Sequence, residues 1–439
     1  MSSKAAAAKA AVLFLLPCLF SCATGSDYYR EIDAGVSAGA FDLALSSMEN
    51  SDTLRYAYPP RNEILYFLDR GMIEHYAELW TDSSRSLEEG ERLIEAAFTK
   101  SISQEISSYI VNDNVREYPG EDYEDLYVNV FNALNYYHRD DTEGALVEIR
   151  RVNEKLRYLA GKYEVAAKKI TDSNSSLESG EYAIEAVKFS NSALARYLSM
   201  LFFRGTGNND NARIDLEELY RAYELAPAVY NHPPPSSLPD ELAIPPGKAR
   251  LNVMGFIGLS PVKEEVNISL PLPLPSPNNW ARLALPNMID RPTAINSIEV
   301  ILDGSLRFSL ELMEDISRVV QETYKARYGL IVLKTTARTI AKSVTSAGAA
   351  SVVEKQASGW GSLVGFIGRV ASDLSENADL RVSRYFPGRV YTGGINLDPG
   401  VYSVTVNYYG ARGLIASEQR ENVGVYMNKL NLVEFVCLK

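Results

Sequence analysis

The chain is poor in the side chains that most often carry chemistry. It has three cysteines, three histidines and three tryptophans in 439 residues. It contains no phosphate loop of the form G-x-x-x-x-G-K, no G-x-S-x-G elbow and no H-E-x-x-H. Nothing therefore implies a cofactor or a resident metal, and no catalytic residue is nominated. The chain reads as a non-enzyme. Positive charge is short too: 44 Lys and Arg face 56 Asp and Glu, for a net charge of −12. Nucleic-acid binders need clustered Lys and Arg, so that partner class is excluded. Anionic lipid is disfavoured on the same ground.

Long hydrophobic runs are also missing. The apolar run nearest the start, AVLFLLPCLF at residues 11–20, falls short of the roughly 20 apolar residues a spanning helix needs. Lys4 and Lys9 precede it and the polar ATGSDYYRE follows, which is the layout of a secretory signal. Its end is specific. Leu19, Phe20, Ser21 and Cys22 resemble the bacterial lipobox, in which the cysteine is lipidated, becomes the new first residue and is acylated on its amine. Cys18 is the poorer candidate because Pro17 would occupy the cleavage position. We therefore expect a signal peptide over 1–21 and an anchor at Cys22, where several acyl chains hold far more firmly than one. Ala23, in place of Asp, points by analogy with lipoprotein sorting to the outer membrane. Cys437 is then left alone, in a strand-like run, and cannot form an internal disulfide.

Residues 27–226 carry apolar side chains at three- and four-residue steps, the helical period. Ala145, Ile149, Val152, Leu156, Leu159, Tyr163, Ala166 and Ile170 form one seam of this kind. Ser86 with Glu89 reads as a capping box opening a helix. Small residues recur where paired helices would touch: Ala44 after Phe41; Gly71, Ser83 and Gly90 around Trp80 and Leu87; Ala133 and Ala145 around Tyr136 and Ile149. A fourth ending, LYRAYELAP, has Ala222 and Pro227 five apart, as the close of such a repeat does. These offsets resemble tetratricopeptide repeats. The spacing does not, since Ala44 to Ser83 is 39 residues and Ser83 to Ala145 is 62, against about 34. The expectation is an irregular TPR-like α-helical array.

PAVYNHPPPSSLPDELAIPPG, residues 227–247, holds seven prolines and reads as a semi-rigid linker. Beyond it the period becomes that of strands, with a hairpin at Asp303-Gly304 and helical patterns from LELMEDISRVV to SLVGFIGRVASDL interrupting two strand sets. The fold class expected is α+β multidomain: anchor and first helices at 22–57, helical array at 58–226, linker at 227–247, and a β-sheet or sandwich domain with a helical insertion at 248–439.

LDRGMIEHY, KSISQEISSYIVNDNVREYPGEDYED and EGALVEIRRVNEKLRYL together resemble a family of uncharacterised bacterial lipoproteins with tetratricopeptide-like helices, over about residues 58–390. The resemblance implies an envelope location and a two-part architecture, not a chemistry. Some helical lipoproteins of similar build activate penicillin-binding proteins, an analogy of fold alone.

His75 with Tyr76, and Tyr137 with His138, fall at corresponding places in successive hairpins. Two imidazoles and two phenols there would form a concave groove for another envelope protein, as helical solenoids provide. No third ligand is spaced for a metal. Asp113, Glu117, Glu121, Asp122, Glu124 and Asp125 crowd a Pro-Gly turn without the EF-hand order; Asp122 and its neighbours are expected to cap the next helix. GTGNNDNARIDLEE reads as a turn before a helix rather than a metal loop. The expected function is a lipid-anchored envelope scaffold. The alternatives are a small-ligand or lipid carrier using the C-terminal domain, and a glycan hydrolase using two carboxylates.

Overall fold

The computed structural model describes residues 28–103, 117–172, 187–271, 280–325, 327–329, 331–332 and 378–439. Cys22 and its signal, Asp113, and the expected insertion from 333 to 377 lie outside the described residues, as do the seam side chains of Tyr163, Ala166 and Ile170.

The first half is helical: α1 (Arg30–Ala38), α2 (Phe41–Met48), α3 (Ser51–Tyr56), α4 (Glu63–Tyr76), α5 (Trp80–Ser103), α6 (Asp122–His138), α7 (Thr142–Asp172), α8 (Ala193–Gly205) and α9 (Asn209–Leu225). Helices α1/α2, α4/α5, α6/α7 and α8/α9 pack as hairpins. All four hairpins turn in one way. Gly39, Glu78, Asp140 and Gly207 take positive φ, of 72°, 62°, 58° and 76°. At each, that residue's N–H donates three residues back and the next N–H five back, as from Glu78 to His75 and Leu79 to Glu74. This double bond ends a helix by satisfying its orphan carbonyls. Five residues past each turn stands a small, fully buried residue: Ala44, Ser83, Ala145 and Ala212. There a larger side chain would hold the two helices apart.

The equivalences read at Ala44, Ser83 and Ala145 are thus real, and Ala212 is a fourth such position; LYRAYELAP, read as the end of a repeat, closes the same hairpin at the end of α9. The capping box expected at Ser86 is a different matter. Ser86 lies inside α5, buried, with its hydroxyl donating to Glu74 Oε2 at 2.6 Å. The box that forms is Glu121 with Glu124 at the start of α6, so the acidic turn caps that helix from Glu121 while Asp122 occupies its first turn. Asn208 caps α9 after Gly207, as a turn before a helix requires.

The second half holds β1 (Ala249–Leu259), β2 (Val262–Pro271), β3 (Trp280–Ile289), β4 (Ser297–Leu302), β5 (Leu306–Asp315), β6 (Pro387–Leu397), β7 (Gly400–Gly410), β8 (Gly413–Val425) and β9 (Asn431–Cys437). Seven of them form one sheet in the order β8-β7-β4-β5-β6-β1-β9; β2 and β3 form a separate ribbon. All pairs are antiparallel except β1 with β9. The sheet curls until its edges, β8 and β9, come into contact. It is therefore not a sandwich. Leu251, Val253, Val300, Val404 and Phe435 fill its inside, while Met254 and Phe256 of β1 face the helices. Asp303 and Gly304 make the expected hairpin, both with positive φ. LELMED, read as the start of a helix, instead completes β5, and the helix begins at residue 316.

The proline-rich stretch is not a spacer. Val229, Tyr230, Leu238 and Glu241 within it are buried, and one apolar cluster runs from Ile32 to Leu438 through both halves. Phe131 of α6 meets Phe256 of β1 at 5.2 Å and Phe386 at 6.0 Å. Proline supplies rigid extended backbone here, and rigid backbone packs as well as it separates.

Candidate functional site

The α4 and α6 helices end side by side, and their last turns bring His75, Tyr76, Tyr137 and His138 together. What they grip is the chain itself. Glu434 of β9 takes His138 Nε2 on one carboxylate oxygen at 2.8 Å and His75 Nε2 on the other at 3.0 Å. Asn135 Oδ1 lies 2.7 Å from the other His75 nitrogen, so both ring nitrogens of His75 face acceptor oxygens. Asn135 in turn donates to Ser83. Trp80 stacks on His138 with ring centres 4.1 Å apart. The Tyr137 hydroxyl donates to the Leu430 carbonyl and accepts from Leu432 N–H; Tyr76 donates to the Tyr385 carbonyl.

The expected groove is therefore present in outline and occupied. His75 is 1 % exposed and Tyr76 5 %. Neither is open to a foreign chain, because strand β9 fills the place. The error has a physical source. Periodicity shows which residues share a face, but an acid 359 positions away along the chain supplies the partner. Glu434 carried no local signal beyond being a lone acid in an apolar strand, NLVEFVC. Burial pushes its carboxyl up, but the charges and hydrogen bonds of His138 and His75 hold it well below the usual carboxylate range.

Other carboxylates are buried in or beside the join, four of them held largely by hydroxyls, amides or guanidinium groups. Glu314 accepts from Tyr127, Tyr230 and Ser192 hydroxyls and from Leu194 N–H. Glu241 binds Arg204, Arg250 and Asn252. Asp69 accepts from Tyr58, from the Ser383 hydroxyl and from Arg384 N–H, and burial pushes it up to about 6. Glu124 accepts from Tyr118 and from the N–H groups of Glu121 and Ser383, and burial with the Glu121 charge pushes it up to about 7. Raised carboxyls commonly mark catalysis. Here hydroxyls and amides already engage them, which is how buried acids are made structural. Among the described residues no three His, Cys, Asp or Glu side chains converge as a metal site.

No family model matches the chain, nor does any curated protein or solved structure it was compared with.

Beside the filled groove a cleft of about 710 Å3 stays open. The turn between α1 and α2 forms one wall, the end of α4 a second, and the β8/β9 seam the third. Leu43 stands in it 60 % exposed, with Phe41, Ala77 and Val436 as further apolar lining. Arg420 crosses the cleft wall, paired with Glu78 at 2.7 Å and lying 5.0 Å over the Phe435 ring. Cys437 lines it as a buried free thiol whose pKa burial raises, so it is a poor nucleophile. No helix among the described residues is long and apolar enough to cross a membrane.

Proposed function

We propose that the protein is a lipid-anchored scaffold of the bacterial envelope, held by acylated Cys22 at the outer membrane. It has no catalytic role, and it takes a segment of another envelope protein into the cleft beside the seam. The penicillin-binding synthesis machinery is one candidate partner by fold analogy. The TPR-like hairpins then serve as a rigid mount, not as the groove itself. The observation carrying this reading is the place of the open cleft. Arg30, the first residue of α1, follows Cys22 by eight positions, at most about 28 Å of extended chain. The cleft wall at Ala38–Leu43 would thus lie within reach of membrane-bound partners. Exposed apolar lining rimmed by Asp42, Glu78 and Arg420 is the composition of a protein-binding patch.

The carrier reading has less support. The inside of the curled sheet, where a lipid would be expected, is filled by its own side chains. The glycan-hydrolase reading lacks an accessible acid pair among the raised carboxyls of the described residues: Glu418 alone lines this cleft, and Asp69, Glu124, Glu148 and Glu314 line neither it nor the smaller cavity beside β1.

A photo-crosslinker at Leu43, activated in intact cells, tests the scaffold reading. It should trap one envelope protein in stoichiometric yield, and Asp42→Arg should abolish the adduct while the circular dichroism stays native. Trapping of lipid alone, or of nothing, overturns the reading.

A further inference from the structure

A second cavity, of about 400 Å3, opens where the end of β1, the loop after β3 and the helix beginning at residue 316 meet. Four cationic side chains stand in its wall: Arg291, Arg318, Lys325 and Arg389. Three are matched to acids. Arg318 and Arg389 share Asp315 at 3.7 and 3.2 Å, and Lys325 pairs with Glu322 at 2.9 Å. Arg291 is not. Its Nε donates to the Ser260 carbonyl at 2.6 Å and its Nη2 to the Arg384 carbonyl. Asp33, the acid that acts on it electrostatically, is bound to Arg384 instead, and among the described residues Arg291 forms no ion pair.

A largely desolvated guanidinium held, among the described residues, by carbonyl oxygens alone is an incomplete arrangement. Removing a cation from water is costly unless an anion offsets it. Burial and the like charge of Arg384 push Arg291 down to about 10, which reflects the missing counter-charge. The planar fork still has donors left, and its geometry fits a phosphate or carboxylate.

We propose that this cavity binds a small hydroxylated anion, a sugar or polyol phosphate, with the phosphate oxygens on Arg291. Ser317, at the start of the adjoining helix, donates only at 3.5 Å to the Gly388 carbonyl and can turn its hydroxyl to the anion, at an N-terminus that favours negative charge. Asp315 caps that helix through Arg318 N–H, but its charge is already shared between Arg318 and Arg389. Asp290, Thr293 and Gln321 complete the wall with groups that bond hydroxyls. Acids in the wall would repel a polyphosphate, which favours one phosphate with hydroxyls around it. The volume lies in the range of small-ligand sites, about 300–1,000 Å3. This inference is independent of the cleft and of the scaffold reading.

Isothermal titration of the purified chain with glucose 6-phosphate, inorganic phosphate and glucose tests it, at constant ionic strength. Saturable binding of glucose 6-phosphate is expected, weaker binding of phosphate, and none of glucose. Arg291→Gln should weaken binding by about tenfold or more, as loss of a charged hydrogen bond does. If that variant does not fold, the double variant R318Q/R389Q should weaken binding several-fold, since both side chains are at least 40 % exposed and lie outside the core. Phosphatidylglycerol vesicles separate the sources. Competition by glucose 6-phosphate for vesicle binding assigns the site to a lipid headgroup, whereas binding of the soluble ligand alone assigns it to a free sugar phosphate. No saturable binding of any phosphate, or binding unchanged by the substitutions, overturns the proposal.

Discussion

Twenty-seven tyrosines in one chain find much of their use at single residues. Tyr58 donates to Asp69, Tyr118 to Glu124, and Tyr127 with Tyr230 to Glu314. A phenol is a neutral donor, so it satisfies a buried carboxylate without adding a second charge to be desolvated. The cost remains in the carboxyl itself. With Glu124 raised to about 7 from 4.5, the folded chain binds a proton that the unfolded chain releases. Its contribution is therefore full below about pH 4.5 and is lost as pH rises through about 7; Asp69 acts alike between about 3.8 and 6. We predict that urea-unfolding stability falls from pH 5 to pH 7.5, and that Glu124→Gln reduces that slope, the other raised carboxyls keeping the remainder. A tenfold difference in proton affinity between the folded and unfolded chain is worth about 1.4 kcal/mol, so the fall is large enough to measure. An unchanged slope would remove Glu124 from this role. Glu434, held low by its histidines, opposes the trend only below its unfolded value of 4.5.

At the scale of elements, the four matching turns explain both a success and a failure of sequence reading. Small residues at Ala44, Ser83 and Ala145 were legible because a tight helix pair admits no other kind. The spacing looked wrong because it measures hairpins of unequal length: α5 has 24 residues and α7 has 31. Glu78 at positive φ carries no sequence signal, since Gly or Asn is the usual occupant. Gly71 is legible for the opposite reason. A Cβ there would stand 2.7 Å from Leu87 Cδ2 and 3.2 Å from its backbone nitrogen, and Leu87 is fully buried. Gly71→Ala should therefore destabilise by about 1–2 kcal/mol, because overpacking outweighs a helix-propensity gain of at most about 1 kcal/mol. A rise in the urea midpoint would show that Leu87 yields freely.

Across the whole molecule the two halves share one core, and the proline-rich stretch is part of it. Domains joined by a spacer would melt apart. A chain whose helices close on Glu434 and Phe256 should unfold in one step. We predict coincident thermal transitions by far-ultraviolet circular dichroism and by tyrosine fluorescence, with Phe256→Ala lowering both midpoints together, as follows from a loss of the ~3–5 kcal/mol of stability typical of a truncated buried aromatic. Two separable transitions would restore the two-domain view.

By itself the sequence determined the helices of the first half, most of the described strands, the Asp303-Gly304 hairpin and the meeting of His75 with His138, because periodicity, turn residues and small contact residues act over a few positions. Only the tertiary structure decided that β9 occupies the groove, that the sheet curls into a near-closed shape, and that Arg291 meets no acid in an ion pair among the described residues. Those outcomes rest on contacts between residues hundreds of positions apart, chosen by burial and charge pairing across the join, and no local pattern encodes which distant strand will fit.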